Sequence, residues 1–285
     1  MENRVIFPCN KNFDGFAEVF QNVPFSSPNG KELTMQILCP WDRERKRYPL
    51  LVFVQGSAWT SPNTGFQLPQ LAALARQGMV VASISHRDCR EGNPFPAFLQ
   101  DVKTAIRFLR SHSQEYGIEK NRVAVWGTSS GGNAALLVGM TGDLPCYRTE
   151  EFAEESDKVQ LVIDCFGPTD LSELVRGAMQ APEGSTDPRM IYLVSDEKGK
   201  ISPEKIRNMS PLYIEEAGRE YPPFLLIHGD ADSVVPYHQS EKLYEKLQKD
   251  GYDARLIKIS GGVHEGNFWT QELLGYIESY LKEKL

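Results

Sequence analysis

The sequence predicts an α/β protein in which helices flank a mostly parallel central sheet. Two observations predict this class. Short runs of strand-forming residues alternate with longer amphipathic helical patterns, and some apolar runs are continuous, as in strands buried on both faces; Leu50–Val54 is the clearest. The chain has 285 residues, a length at which α/β folds often form one domain. We therefore expect a single domain over residues 1–285.

The individual elements follow from the same patterns in chain order. The expected strands are Leu33–Leu38, Leu50–Val54, Met79–Ile84, Arg122–Trp126, Val159–Phe166, Phe224–His228 and Arg255–Ile259. The expected helices are Gln67–Arg76, Ala97–Tyr116, Asn133–Met140, Gln239–Lys249 and Phe268–Leu281. The helix that begins at Ala97 is the most regular, because its apolar residues recur at i, i+4, i+7, i+8 and i+11 along one stripe.

The alternation lapses between about residues 171 and 221. The stretch Ala181–Pro188 is rich in turn-forming residues, and only short helical pieces such as Pro203–Asn208 are indicated. A segment of this length without strands is long for a loop. We interpret it as a cap-like insertion over one edge of the sheet, within the same domain.

The charge and cysteine content exclude several classes of function. The net charge is −7, which argues against the basic face of a nucleic-acid binder and against binding to anionic membranes. No apolar run reaches the length of a membrane span, and the N-terminus lacks the pattern of a secretory signal. The five cysteines are scattered and form neither a disulfide framework nor a metal motif. We therefore expect a cytoplasmic protein without metal, membrane or nucleic-acid partners; a homo-oligomer stays open.

The strongest chemical signal lies between a predicted strand and a predicted helix. Gly127-Thr128-Ser129-Ser130-Gly131 matches the G-x-S-x-G motif, which in this context forms a sharp turn that exposes a nucleophilic serine. The two glycines let the backbone pack closely around Ser129. The amide of Ser130 would face a developing oxyanion at the start of the helix. Ser129 is therefore the candidate nucleophile.

A nucleophilic serine requires a base, and the base requires an orienting acid. In sheets of this kind the chain order is Ser, then Asp or Glu, then His. Four of the five histidines precede the serine or lie at the end of a strand or helix, where a structural role is favoured: His86, His112, His228 and His238. The fifth, His264, lies in a glycine-bounded loop after the last strand and is the candidate base. Asp230 and Asp232 both follow the penultimate strand, and spacing favours Asp232 only slightly.

Together these motifs resemble the α/β-hydrolase superfamily, and within it the esterase/lipase group related to prolyl oligopeptidase-type hydrolases and bacterial feruloyl and acetyl esterases. That group has the segments V-W-G-x-S-A-G-G, H-G-x-x-D-x-x-V-P and G-x-H, which match Val125–Gly132, His228–Pro236 and Gly262–His264. A further match begins at Phe95, and the likeness covers about residues 33–284. The resemblance implies the α/β-hydrolase fold and places the acid at Asp232.

The sequence departs from that group after the first core strand. The group has H-G-G-G-W there, whose amides form the oxyanion hole, whereas this chain has Gln55-Gly56-Ser57-Ala58-Trp59. Because backbone amides do not depend on the side chain, Ser57 or Ala58 is expected to supply one oxyanion donor and Ser130 the other. A residue with a Cβ tolerates a positive φ less well than glycine. Trp59 and Gln55 are the expected substrate contacts.

The resemblance implies a serine carboxylic-ester hydrolase that works without a cofactor, through an acyl-enzyme, on a small-molecule ester. Short acyl groups are expected, such as acetyl or feruloyl groups on carbohydrates. Three alternatives stay open: an amidase of the arylformamidase kind, a peptidase of the prolyl oligopeptidase type, and a ligand-binding protein without activity. The short segment before Leu33 disfavours the peptidase, which usually carries a propeller there. The order Ser, Asp, His disfavours the binding protein.

Overall fold

Eight strands form one sheet in the computed structural model, which describes residues 5–44, 46–180, 188–214 and 219–285. The strands are β1 (Ala17–Ser26), β2 (Leu33–Pro40), β3 (Tyr48–Val54), β4 (Val80–Ile84), β5 (Ile118–Thr128), β6 (Leu161–Cys165), β7 (Phe224–Gly229) and β8 (Ala254–Ile259). Their spatial order is β1-β2-β4-β3-β5-β6-β7-β8. The pairs β1–β2 and β2–β4 are antiparallel and the others are parallel, which confirms the mostly parallel sheet.

Helices cover both faces of this sheet. They are α1 (Leu68–Arg76), α2 (Ala97–Ser111), α3 (Ser113–Tyr116), α4 (Ser130–Thr141), α5 (Leu171–Gln180), α6 (Arg189–Val194), α7 (Pro203–Asn208), α8 (His238–Lys249) and α9 (Gln271–Lys284). Successive strand residues point to opposite faces. Leu50 and Val52 therefore join the core under α2, α4 and α8, whereas Leu51 and Phe53 join the core under α1 and α9. Within the described residues, no helix is both long enough and apolar enough to cross a membrane.

The structure contains one strand that the sequence did not predict. Strand β1 lies at the edge of the sheet, and most of its side chains are at least partly exposed. Its pairing with β2 is interrupted between Phe20 and Val23, where Asn22 has φ 52°, and Pro24 follows. These features remove the regular alternation that marks a strand in a sequence.

One predicted helix is divided in two. The expected helix from Ala97 to Tyr116 breaks at His112, whose ψ of 22° is not helical, and the short α3 follows. Gly117 then ends the segment with φ 68°, a left-handed conformation that glycine adopts without steric cost. The apolar stripe of α2 therefore ends at the break, while the turn of α3 continues the chain toward β5.

The insertion between β6 and β7 consists of α5, α6, α7 and their connections. The helix expected at Pro203–Asn208 is present, and Leu193 and Val194 of α6 are buried. The turn-rich residues 181–187 lie outside the described residues. The side-chain amide of Asn133, in α4, donates to the carbonyl oxygens of Pro168 at 2.9 Å and Met209 at 3.0 Å. This buried amide links the segment before α5 and the end of α7 to the helix that follows the candidate nucleophile.

Helix α4 lies unusually close to the sheet at Gly139. A Cβ at this position would be 2.4 Å from Cγ2 of Val162 and 3.3 Å from the ring of Phe224, and both neighbours are fully buried. Overpacking of this kind costs about 1–3 kcal/mol. We expect Gly139→Ala to lower the free energy of unfolding by that amount in urea denaturation.

The matched control is Gly275→Ala, in the exposed part of α9, where a Cβ would meet nothing within 4 Å. This change should stabilise the protein by about 0.5–1 kcal/mol, since alanine restricts the unfolded chain more than glycine does. Equal effects of the two substitutions would contradict the close packing of α4.

A buried carboxyl group, Asp164 of β6, lies beneath the start of α4. Its Oδ1 accepts a hydrogen bond from the amide of Gly167 at 3.0 Å, whereas Oδ2 has no partner among the described residues. A Cβ on Gly132 would be 2.1 Å from Oδ1, so the helix backbone closes over the group. Burial raises the pKa of Asp164 to about 8, against a smaller lowering by the Gly167 amide. The side chain is therefore largely protonated at neutral pH.

This raised pKa predicts how stability depends on pH. The unfolded carboxyl ionises near pH 4 and the folded one near pH 8, so the folded state loses stability relative to the unfolded state as the pH rises between these values. Asp164→Asn keeps the acceptor for Gly167 and cannot ionise. We expect its melting temperature relative to wild type to be higher at pH 8 than at pH 5. The same difference at both pH values would contradict the raised pKa.

Candidate active site

Ser129 occupies a strained turn between β5 and α4. Its backbone has φ 52° and ψ −122°, and its amide donates to the carbonyl oxygen of Cys165 at 2.9 Å. A Cβ on Gly127 would be 2.0 Å from the carbonyl oxygen of Gly131, and a Cβ on Gly131 would be 2.0 Å from that of Val54. Both glycines of the motif are therefore required by close backbone packing around the serine.

The structure brings the three predicted side chains Ser129, His264 and Asp232 together. The Nε2 atom of His264 lies 2.9 Å from Oγ of Ser129, and its Nδ1 atom lies 2.7 Å from Oδ2 of Asp232. Since a carboxylate only accepts, Nδ1 carries the proton and Nε2 can accept the serine proton. The imidazole is 16% exposed and the carboxylate is fully buried. Solvent therefore reaches the imidazole of His264, while the carboxylate of Asp232 is shielded from it.

Asp232 is held as a carboxylate by several donors. Its Oδ1 accepts hydrogen bonds from the amides of Val234 at 2.8 Å and Val235 at 2.9 Å. Burial acts to raise the pKa of Asp232, but the hydrogen bonds from His228, His264 and the Val235 amide outweigh it and hold the pKa well below its ordinary value. A charged acid beside His264 stabilises an imidazolium when one forms.

The second acid candidate, Asp230, has a different role. Its Oδ1 accepts a hydrogen bond from the amide of Gly261 at 2.6 Å, which links the loop after β7 to the loop that carries His264. It contacts the backbone near the base rather than the imidazole. Of the two aspartates that spacing alone left open, Asp232 is the one that contacts the imidazole of His264.

Two residues near His264 were not identified as site residues from the sequence. The ring of Phe166 lies 4.7 Å from the imidazole of His264, at 61° to it, and Phe166 has φ 46°. His228 contacts the carboxylate of Asp232, with 3.3 Å between Nε2 and Oδ2. The segment His228–Pro236 places His228 four residues before Asp232, a spacing that could have indicated this contact from the sequence. No sequence pattern marks Phe166.

The loop after β3 is fixed by hydroxyl groups from the nucleophile turn. The amide of Gly56 donates to Oγ1 of Thr128 at 2.8 Å, and the amide of Ser57 donates to Oγ of Ser130 at 2.9 Å. The amide of Ser57, one of the two alternatives expected for the oxyanion donor, is therefore engaged by Ser130 in this structure. The Ala58 amide makes no hydrogen bond to the described residues, and Ala58 has φ 50°.

The two expected substrate contacts, Trp59 and Gln55, are buried. Trp59 is 3% exposed, packs against Phe98 and donates its indole N–H to Oδ1 of Asn133 at 3.4 Å. Gln55 is 6% exposed, and its Nε2 lies 3.4 Å from Oγ1 of Thr128. With so little surface, neither side chain offers a substrate contact in this conformation, which differs from the sequence-based expectation. Both instead support the loop that carries the Ala58 amide.

The remaining histidines have local partners of their own. Burial lowers the pKa of His86 to about 4, and its Nδ1 lies 2.9 Å from the carbonyl oxygen of Arg87. His112 stacks on Phe108, and His238 contacts Glu173 of the cap. Among residues 5–44, 46–180, 188–214 and 219–285, no group of three or more His, Cys, Asp or Glu side chains is arranged to hold a metal ion.

Comparison with known proteins places this chain in a family. The BD-FAE family model matches residues 35–247. Among curated relatives, esterase LipC of Mycobacterium tuberculosis is 32% identical over 223 residues, which cover 75% of this chain and 52% of LipC. The isoprenylcysteine alpha-carbonyl methylesterase ICME of Arabidopsis thaliana is 26% identical over 80% of this chain and 52% of its own. The chain thus spans about half the length of these curated relatives.

Solved structures resemble almost the whole chain. A truncated form of a carbohydrate esterase from gut microbiota is 28% identical with a TM-score of 0.76, and the alignment covers 95% of this chain and 97% of that one. The native esterase 2 of Thermogutta terrifontis is 25% identical with a TM-score of 0.75, over 95% and 93% of the two chains. These structures confirm the expected fold. The chain therefore belongs to the BD-FAE family and has the α/β-hydrolase fold.

Proposed function

We propose that this protein is a serine esterase in which Ser129, His264 and Asp232 form the catalytic triad. The observation that carries the proposal is the pair of contacts made by His264, 2.9 Å to the serine hydroxyl and 2.7 Å to the buried carboxylate. This is the arrangement that activates a serine toward a carbonyl carbon. The esterases among the relatives support the choice of an ester as substrate.

The reaction follows from these contacts in two halves. Ser129 attacks the ester carbonyl while Nε2 of His264 takes its proton, and Asp232 stabilises the resulting imidazolium. The tetrahedral intermediate then collapses, and the leaving alcohol takes the proton from His264 as the acyl-enzyme forms. In the second half His264 deprotonates a water molecule, which attacks the acyl group and releases the carboxylic acid and Ser129.

We assign the oxyanion donors to the amides of Ala58 and Ser130. Ser130 is the first residue of α4, so its N–H has no acceptor within the helix, and the positive end of the helix dipole adds to it. The amide of Ala58 has no other partner among the described residues. Two donors held by packed backbone stabilise the charge that develops on the carbonyl oxygen.

The proposed substrates are short acyl esters, with acetyl esters of carbohydrates first among them. The likeness to a carbohydrate esterase over nearly the full length of both chains supports the carbohydrate, and Thermogutta terrifontis esterase 2 has been solved with propionate and butyrate bound. No residue contact described above favours an amide or peptide substrate. A cytoplasmic location is also part of the proposal, on the strength of the scattered cysteines.

The test of this function combines turnover with covalent labelling. Wild-type protein should hydrolyse p-nitrophenyl acetate faster than the octanoate, and an alkyl fluorophosphonate should modify Ser129 with loss of fluoride. Ser129→Ala should lose activity by a factor on the order of 10⁴ or more and should not be labelled. Ser279→Ala, an exposed serine of α9, is the matched control and should behave as wild type.

Labelling separates the chemistry from the choice of substrate. Labelled protein that hydrolyses none of these esters keeps the activated serine and would count against short acyl esters. Well-folded protein that is neither labelled nor active would reject the serine-hydrolase mechanism and favour a binding protein.

A second substitution tests the assignment of the oxyanion donors. Ser130→Ala keeps the Ser130 amide but removes the acceptor of the Ser57 amide, and so loosens the loop that presents Ala58. We expect kcat to fall about tenfold, less than the ~10²–10³ typical for loss of a donor, with little change in KM. A rise in kcat would mean that the freed Ser57 amide is the true donor and would overturn the assignment to Ala58.

A further inference from the structure

His228 is a second histidine on the carboxylate of Asp232. It lies in β7, fully buried, four residues before the aspartate. Its Nε2 lies 2.8 Å from the carbonyl oxygen of Val235 and 3.3 Å from Oδ2 of Asp232. Its Nδ1 lies 2.7 Å from the hydroxyl oxygen of Ser240, a fully buried residue of α8. Every polar atom of the ring therefore has a partner.

These partners fix where the ring proton lies. A carbonyl and a carboxylate only accept, so Nε2 carries a proton and points it between the two oxygens. The Ser240 hydroxyl can then donate to Nδ1. The carbonyl of Val235 and the carboxylate of Asp232 therefore set the tautomer of His228, and the Ser240 hydroxyl satisfies the ring nitrogen that is left without a proton.

His228 also holds the loop after β7 in place around the carboxylate of Asp232. Val235 is held at both ends, since its amide donates to Oδ1 of Asp232 and its carbonyl accepts from His228. The same Oδ2 atom receives the Nδ1–H of His264. The position of His264 relative to Ser129 thus depends on a carboxylate whose rotation is limited by His228.

Resting on the serine-esterase function proposed above, we propose that His228 is a positioning residue of the reaction, which together with Ser240 orients Asp232 toward His264. The contacts form one continuous chain: Ser240, His228, Asp232, His264 and Ser129. His228 acts through the acid and does not touch the reacting atoms.

Among the described residues, Tyr237, Lys258 and Phe166 lie around the imidazole of His228 and its neighbouring tyrosine. Tyr237, before α8, lies 5.9 Å away by ring centroid, and the ammonium group of Lys258 on β8 lies over the tyrosine ring at 5.7 Å. Burial raises the pKa of Tyr237, with Glu241 and Asp230 adding to the effect, so the phenol stays neutral near pH 7. Phe166 packs on the remaining side at 6.5 Å. Asp232 is therefore the charged group closest to His228.

The loss of His228 has a defined effect on the base. A carboxylate with one donor fewer is more basic and holds the imidazolium form of His264 more strongly. The acid limb of the kcat/KM profile should then move to higher pH. A less well oriented base lowers kcat, whereas KM should change little because the substrate does not contact His228.

The experiment compares His228→Leu, His228→Gln and Ser240→Ala with wild type on p-nitrophenyl acetate from pH 5 to 9. We expect His228→Leu to lower kcat about tenfold, the typical effect of one lost hydrogen bond to a charged group, and to shift the acid limb upward by about half a unit. The glutamine amide can donate to Asp232 and should recover much of both effects. Ser240→Ala, which keeps the ring, should lie between wild type and His228→Leu.

Two measurements keep the outcome decisive. Melting temperatures identify a variant that fails to fold. If the His228 variants fail to fold, Ser240→Ala decides the question. A kcat of Ser240→Ala within twofold of wild type, together with an unmoved acid limb, would overturn the proposal. The NMR chemical shift of the His264 ring at a fixed pH reports its surroundings in each variant without turnover. If wild type hydrolyses no ester, the proposed function fails, and the absence of a His264 shift in the His228 and Ser240 variants would separately overturn the positioning role.

Discussion

The close approach of α4 to the end of β3 is the constraint on which the site depends. Gly131 lies so near the carbonyl oxygen of Val54 that no side chain fits between them. This contact sets the height of the helix above the sheet, and with it the position of Ser129, of the first amides of α4 and of the Ser130 hydroxyl. The unfavourable backbone angles of Ser129 and Ala58 persist because the surrounding packing leaves no alternative.

Two buried aspartates, Asp164 in β6 and Asp232 in the loop after the neighbouring strand β7, show how hydrogen bonding decides between charge and neutrality. Asp232 faces two amides and two imidazoles, and its pKa is lowered despite burial. Asp164 accepts from one amide, leaves an oxygen without a partner among the described residues, and its pKa is raised to about 8. Burial alone would push both groups in the same direction. The number of donors that contact each carboxylate separates their states: two loop amides and two imidazoles for Asp232, and one amide for Asp164.

The sequence predicted most of the sheet because buried parallel strands are continuous apolar runs, and it predicted Ser129 and His264 because glycines and chain order restrict where they occur. It missed β1, whose exposed edge position and bulge leave no regular pattern. It also placed Trp59 and Gln55 at the substrate, since spacing along a loop does not reveal which way a side chain turns. The positions of Phe166 and His228 at the site depend on contacts made in the folded chain, between Phe166 and the ring of His264 and between His228 in β7 and Asp232.

The link between Ser57 and Ser130 has a thermodynamic consequence. In a glycine-rich loop the torsion angles that aim an amide at the substrate are free until the ligand arrives, and fixing them reduces the entropy on binding. Here Ala58 and Trp59 hold left-handed angles, and a hydroxyl from the adjacent helix anchors the loop through the Ser57 amide. If the Ala58 amide acts as the oxyanion donor proposed above, the conformational entropy of ordering it is lost during folding rather than during catalysis.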